Sequence, residues 1–126
     1  MKLPPPVPEI PVAKIDRAVE YYVKHLGFTF DWGDEAGGIA GVSREDCRLF
    51  ITNSEFREGY GNVGPIMIWL NLNGKAEVDE LYREWKASGA RIVEEPEDKP
   101  WKLREFRAAD VDGNQIRVFY DFHGDE

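Results

Sequence analysis

The chain has 126 residues, 42% of them apolar and 32% charged, with 16 Lys and Arg against 24 Asp and Glu for a net charge of −8. That length suits one domain with a single modest core, and that composition folds rather than staying disordered. The acidic balance argues against nucleic acid, where Lys and Arg must neutralise phosphates, and it would draw a cationic ligand or simply keep the protein soluble.

Five of the first eleven residues are proline: Pro4, Pro5, Pro6, Pro8 and Pro11. Proline has no N–H to give to a sheet, so this stretch reads as an extended arm entering an edge strand over 7–13. Such an arm can cross to a second subunit. Ile15, Val19, Tyr22, Val23 and Leu26 then recur at helical spacing, and Gly27 supplies a left-handed stop. Short strands are expected over 28–32, 39–42 and 49–52, with polar turns at Gly33-Asp34 and Arg44-Glu45-Asp46 between them.

Residues 53–64 lack periodicity and read as a link. The order then restarts. Residues 66–72 form an apolar strand, and Val78, Leu81, Tyr82 and Trp85 form a second helix face ended by Gly89. Strands are expected over 91–94, 104–109 and 115–120, with a tight turn at Asp112-Gly113 before the last. The acidic run Glu94-Glu95-Pro96-Glu97-Asp98 reads as a solvated turn, and the tail from His123 as frayed. One order of elements thus occurs twice, with module one at about 7–53 and module two at about 65–122. Two curved sheets could enclose a ligand between them.

Reactive chemistry is thin. Cys47 is the one cysteine, so no internal disulfide forms, and neither His25 nor His123 pairs with it in a local motif. It reads as an inert, small apolar side chain. Gly37-Gly38-Ile39-Ala40-Gly41 lacks the Lys-Ser/Thr and helix of a phosphate loop. No apolar run spans a membrane and the stretch Met1-Lys2-Leu3-Pro4-Pro5-Pro6 has no apolar signal core, so the expected setting is the cytoplasm.

Several segments together resemble the glyoxalase/bleomycin-resistance/dioxygenase, or vicinal oxygen chelate, superfamily. They are Tyr21-Tyr22…Leu26-Gly27-Phe28, Leu49-Phe50-Ile51-Thr52, residues 78–85, Lys99-Pro100-Trp101 with Arg104-Glu105-Phe106, and Asp110-Val111-Asp112-Gly113-Asn114. Pro-Trp followed by Arg-Glu-Phe is most similar to the bleomycin-resistance branch. The resemblance implies an α+β fold of two βαβββ modules forming curved mixed sheets, in a homodimer that exchanges its first strand near Pro8 or Pro11.

Metal-dependent members of that superfamily use His or Glu on four strands. The corresponding residues are Val7, about Phe50, about Met67, and Arg117. Val and Phe carry no donor, Met is a poor partner for hard divalent ions, and Arg is cationic. No metal and no cofactor is therefore expected. The resemblance instead implies antibiotic resistance through metal-free sequestration of an antibiotic-like or other small ligand, such as a cationic glycopeptide, in grooves at the dimer interface. The candidate ligand-binding residues are Trp101, Phe106, Trp69, Ile39, Phe50, Arg117 and Glu105, with no catalytic residue assigned. Trp101 matches the Pro-Trp motif, and Ile39 falls where the family often places an aromatic. Trp69 lies in an apolar strand and also reads as core. Arg117 either binds an anionic ligand or pairs with Glu105. The alternatives are a metal-dependent glyoxalase- or dioxygenase-type enzyme with ligands elsewhere, such as Glu9 or His25, and a regulatory module binding a protein through its arm.

Overall fold

The computed structural model describes residues 1–60 and 63–125. Two compact units divide it, residues 1–64 and 65–126. The linking stretch expected at 53–64 carries a short 3-10 turn at Glu58–Tyr60; its residues 61 and 62 lie outside the described residues.

The first unit contains β1 (Glu9–Pro11), α1 (Ile15–Leu26), β2 (Thr29–Asp34), β3 (Ile39–Arg44) and β4 (Cys47–Thr52). Its sheet runs β1-β4-β3-β2, with β1 parallel to β4 and the other pairs antiparallel. The second unit contains β5 (Met67–Asn71), α2 (Lys75–Ala87), β6 (Arg91–Asp98), β7 (Leu103–Ala109) and β8 (Gln115–Asp121). Its sheet runs β5-β8-β7-β6 with the same pattern of parallel and antiparallel pairs. The repeat read from the sequence is therefore a repeat of topology, strand for strand.

The prolines explain why β1 is an edge strand of three residues. Only β4 pairs with it, through bonds such as Phe50 N–H to the Pro8 carbonyl at 3.0 Å and Val12 N–H to the Thr52 carbonyl at 2.9 Å. Helix α1 ends as its sequence predicts: Gly27 takes φ +76° and returns its N–H to the Tyr22 carbonyl. The Arg44 guanidinium donates to the Leu26 carbonyl at 3.0 Å, satisfying another helix-end acceptor. At the start of α2 the Glu77 carboxylate accepts the N–H of Asn73, the residue before the N-cap Gly74, at 2.9 Å.

In each unit the helix covers one face of the sheet. Strand alternation puts Ile10, Ala40, Val42, Leu49 and Ile51 under α1. In the second unit Phe106, Ala108, Ile116 and Val118 face α2 and its buried Val78 and Trp85. The turn Asp110–Asn114 is held from within. The Asp110 carboxylate accepts the N–H groups of Asp112 (2.8 Å) and Asn114 (3.0 Å), and Asn114 Oδ1 accepts the Ile66 N–H (2.9 Å). The Asp-x-Asp-Gly-Asn motif thereby ties the β7–β8 turn to the start of β5.

Three sequence expectations are corrected. Gly33-Asp34 is not a turn: both residues pair with β3 inside β2, and the chain reverses over 35–38. The acidic run at 94–98 is not a turn but the second half of β6, although Glu95, Glu97 and Asp98 are exposed there. Pro96 is tolerated because β6 is an edge strand, and two register irregularities absorb the misfit. The carboxylates there are paired: Glu94 with Lys99 and Arg107, Asp98 with Lys75 and Arg104. The tail is not simply frayed either. His123–Asp125 forms a 3-10 turn behind the buried Phe122, and the Tyr120 hydroxyl donates to Asp125 at 2.8 Å; Glu126 lies outside the described residues.

The β6 pairs set a pH dependence. Hydrogen bonding from Lys99 and then from Arg107 holds the Glu94 carboxyl below its ordinary value of 4.5. A carboxylate depressed in the folded state contributes stability above its unfolded pKa and loses it as pH falls through the folded one. We expect the urea midpoint to be flat near neutrality and to fall below pH 4.5. Glu94→Gln should lower the neutral midpoint and flatten the acid limb. A variant with the wild-type acid slope would show that Glu94 carries none of it.

Candidate functional site

The face of each sheet away from its helix carries the candidate residues. On the first unit these are Glu9, Trp32, Ile39, Gly41, Phe50 and Thr52, placed there by register. The Trp32 indole lies against Gly41, where a Cβ would come within 2.6 Å of Nε1. Glycine inside a strand marks such a close approach. Trp32 meets Phe50 edge to face, with ring centres 5.3 Å apart, and the Arg48 guanidinium sits 5.4 Å from the Phe50 ring. Glu9 accepts from the Thr52 hydroxyl at 3.1 Å. Ile39 and Phe50 thus share one face, in the company of Trp32, which the sequence reading did not single out.

The second unit builds a longer chain of contacts. Trp101 Nε1–H donates to Glu105 Oε2 at 3.2 Å. Glu105 Oε1 lies 3.0 Å from Arg117 Nε. The pair is in ionic contact but not aligned as a hydrogen bond. The Arg117 guanidinium carbon lies 4.8 Å from the centre of the Trp69 ring, within cation–π range. Trp69 in turn meets Phe119 edge to face at 5.5 Å. Beside this chain Arg107 bridges Glu94 and Gln115, and Lys99 contacts Glu94 and Glu97.

Local structure accounts for this arrangement. Glu105 pairs in register with Phe119, and Arg117 lies two residues from that partner on the neighbouring antiparallel strand, so the two side chains share a face and meet diagonally. Lys102, at φ +68°, turns the chain between β6 and β7; its N–H returns to the Lys99 carbonyl at 3.0 Å. That tight turn brings Trp101 back over Glu105. The Glu105 side chain is fully buried, a position that carboxylates seldom occupy without partners.

Of the seven sequence candidates, the structure brings Trp101, Glu105, Arg117 and Trp69 together, and puts Phe50 and Ile39 on the other unit's open face. Trp69 is not core: it is 47% exposed, because the apolar run of β5 turns alternate side chains to opposite faces. Phe106 is no groove wall. It is fully buried under α2, edge to face with Tyr82 and Trp85. The register of Arg104-Glu105-Phe106 sends the carboxylate outward and the ring inward.

Other chemistry finds little support. Burial pushes the Cys47 thiol above its ordinary value, the opposite of an activated nucleophile. Among the described residues no group of three His, Cys, Asp or Glu side chains converges as a metal site. Glu9 is bonded to Thr52, and Glu105 is held between Trp101 and Arg117. The positions that the family resemblance singles out, Val7, about Phe50, about Met67 and Arg117, carry no hard oxygen or imidazole donor. No helix is long and apolar enough to cross a membrane among the described residues.

Comparison with known proteins gives a consistent picture. A bleomycin-binding protein solved in complex with bleomycin superimposes with a TM-score of 0.74 at 22% identity, over 94% of this chain and 98% of that one. A glyoxalase/bleomycin resistance protein/dioxygenase from Nocardioides gives 0.79 at 20% identity, over 98% and 87%. A lactoylglutathione lyase from Agrobacterium tumefaciens gives 0.72 at 19% identity, over 94% and 96%. At these identities the likeness is one of fold. No curated protein matches the sequence. The sequence model of the glyoxalase/bleomycin resistance protein/dioxygenase superfamily matches residues 6–118, and the chain belongs to that superfamily.

Proposed function

We propose that the protein is a metal-free binding protein that sequesters a planar, antibiotic-like small molecule against the aromatic side chains of its open sheet faces, in grooves completed by a second copy. The observation that carries this reading is the run Trp101–Glu105–Arg117–Trp69. Two exposed indoles are held in place there by a largely buried ion pair. A fixed aromatic side chain offers large contact area at low entropic cost. The first unit repeats the chemistry with Trp32, Phe50 and Arg48. The fold is shared with a bleomycin-binding protein, which makes bleomycin the first ligand to try.

Titration of bleomycin followed by tryptophan fluorescence and calorimetry tests the antibiotic version. Saturable binding at micromolar concentration or tighter is expected, with one ligand per chain. Flat titrations, or stoichiometric divalent metal in the purified protein by elemental analysis, would overturn it. Such a metal would favour a glyoxalase- or dioxygenase-type enzyme instead.

A further inference from the structure

We infer that the open face of the second unit selects an uncharged planar ring bearing a carbonyl acceptor, rather than a cation, despite the net charge of −8. This deepens the binding function proposed above and rests on it.

Charge at this face is locally cancelled. Around the two indoles stand three cations and three carboxylates, and they pair off. Arg117 meets Glu105, Arg107 meets Glu94, and Lys99 meets Glu94 and Glu97. A cation arriving beside the indoles finds these three carboxylates already facing a cation, Glu97 through Lys99 alone. Glu105 is fully buried, with one oxygen taken by Trp101 and the other against Arg117. An arriving anion meets a guanidinium whose charge is already answered by Glu105, so the Coulombic gain is small.

Hydrogen-bonding capacity is not cancelled in the same way. Arg117 turns Nε toward Glu105, its side chain stays 22% exposed, and its two terminal nitrogens take no partner among the described residues. Those nitrogens are donors only. The Trp101 N–H is already spent on Glu105. What the face offers a ligand is therefore a neutralised guanidinium edge beside two aromatic surfaces, Trp69 at 47% and Trp101 at 51% exposure. The complement is a flat ring that stacks, with a carbonyl oxygen to accept from Arg117. Glu105 acts as the positioning and selectivity residue: it orients Arg117 and removes its net charge.

Three indoles of one shape and different charge test this: indole-3-acetamide, indole-3-acetate and tryptamine, titrated by calorimetry on the whole chain. Neutral indole-3-acetamide is expected to bind about tenfold more tightly than tryptamine, and its affinity should change less than about twofold between low and high salt. Glu105→Gln keeps an acceptor for Trp101 but uncovers the charge of Arg117, so indole-3-acetate should gain about tenfold over the amide. Tryptamine as the tightest ligand, a steep salt dependence, an unchanged order in Glu105→Gln, or no binding of the amide would each overturn the inference. If Glu105→Gln fails to fold, the wild-type charge order and salt response still decide. The two readings fail separately. Amide binding without bleomycin binding sinks only the antibiotic version, whereas bleomycin binding with tryptamine preferred to the amide sinks only this inference.

Discussion

Replacing Trp85 by alanine should destabilise the protein by about 3–5 kcal/mol, the range for deleting a large buried ring. Trp85 is 1% exposed and joins α2 to its sheet. Its ring meets Phe106 edge to face at 5.7 Å and 79°. The loss has two parts: the transfer energy of the indole, and a cavity that the surrounding strands cannot collapse to fill. Val78, Ala108 and Val118 are small and fully buried, so they cannot swing to fill the space. Domains of this size are stable by only about 5–15 kcal/mol, so the variant should lose a large share of its margin. We expect the thermal midpoint to fall by more than about 10 °C, and Trp85→Phe to recover most of it by keeping a ring against Phe106. Equal urea midpoints for Trp85→Ala and wild type would show that the α2 interface does not carry the fold.

The same residue shows which parts of the molecule the sequence discloses. Trp85 falls in phase with Val78, Leu81 and Tyr82, and a period of 3.6 has only one buried side. The positions of α2 can therefore be assigned from spacing, whereas in α1 the same spacing puts Val23 inside although it is exposed and passes over Ala18 and Tyr21, which are buried. Strands such as β5 cannot, because Met67-Ile68-Trp69-Leu70 is apolar on both parities. Only pairing with β8 reveals that Ile68 and Leu70 share a face with Ile116 and Val118, and Trp69 shares one with Arg117. The Glu105-Phe106 step misleads for a related reason. Chemistry favours a ring as the groove wall and a carboxylate in water. The register reverses this, because Arg117, twelve residues on, gives the carboxylate a partner.

Trp32 was legible in principle. Gly41 is a glycine inside a strand, and such a residue asks what lies on top of it. The answer needed the β2–β3 register, which a bulge between Phe30 and Trp32 shifts by one residue. The acidic end of β6 was hidden by its composition. Four carboxylates around a proline look like a turn until Lys75, Lys99, Arg104 and Arg107 are seen to face Glu94 and Asp98 from α2, the β6–β7 turn and β7.

Removing the Arg117 side chain isolates what the buried pair contributes. Arg117→Ala should cost about 2–4 kcal/mol, somewhat less than the ~3–5 kcal/mol typical when a fully buried pair is broken, because the guanidinium partly reaches solvent. Most of that cost is not lost attraction. It is the penalty of leaving the Glu105 carboxylate buried with a single aligned donor, Trp101. A second substitution should therefore repair the first. Arg117→Met combined with Glu105→Leu removes both charges, keeps the aliphatic bulk against Trp69, and should unfold within about 1 kcal/mol of wild type in urea. If instead the double variant loses the sum of the two single losses, the pair is a net source of stability. If the double variant recovers stability while indole-3-acetamide binding is lost, the ion pair is retained for the ligand and not for the fold. That is the outcome expected of a guanidinium held over the Trp69 ring with its side chain still partly exposed.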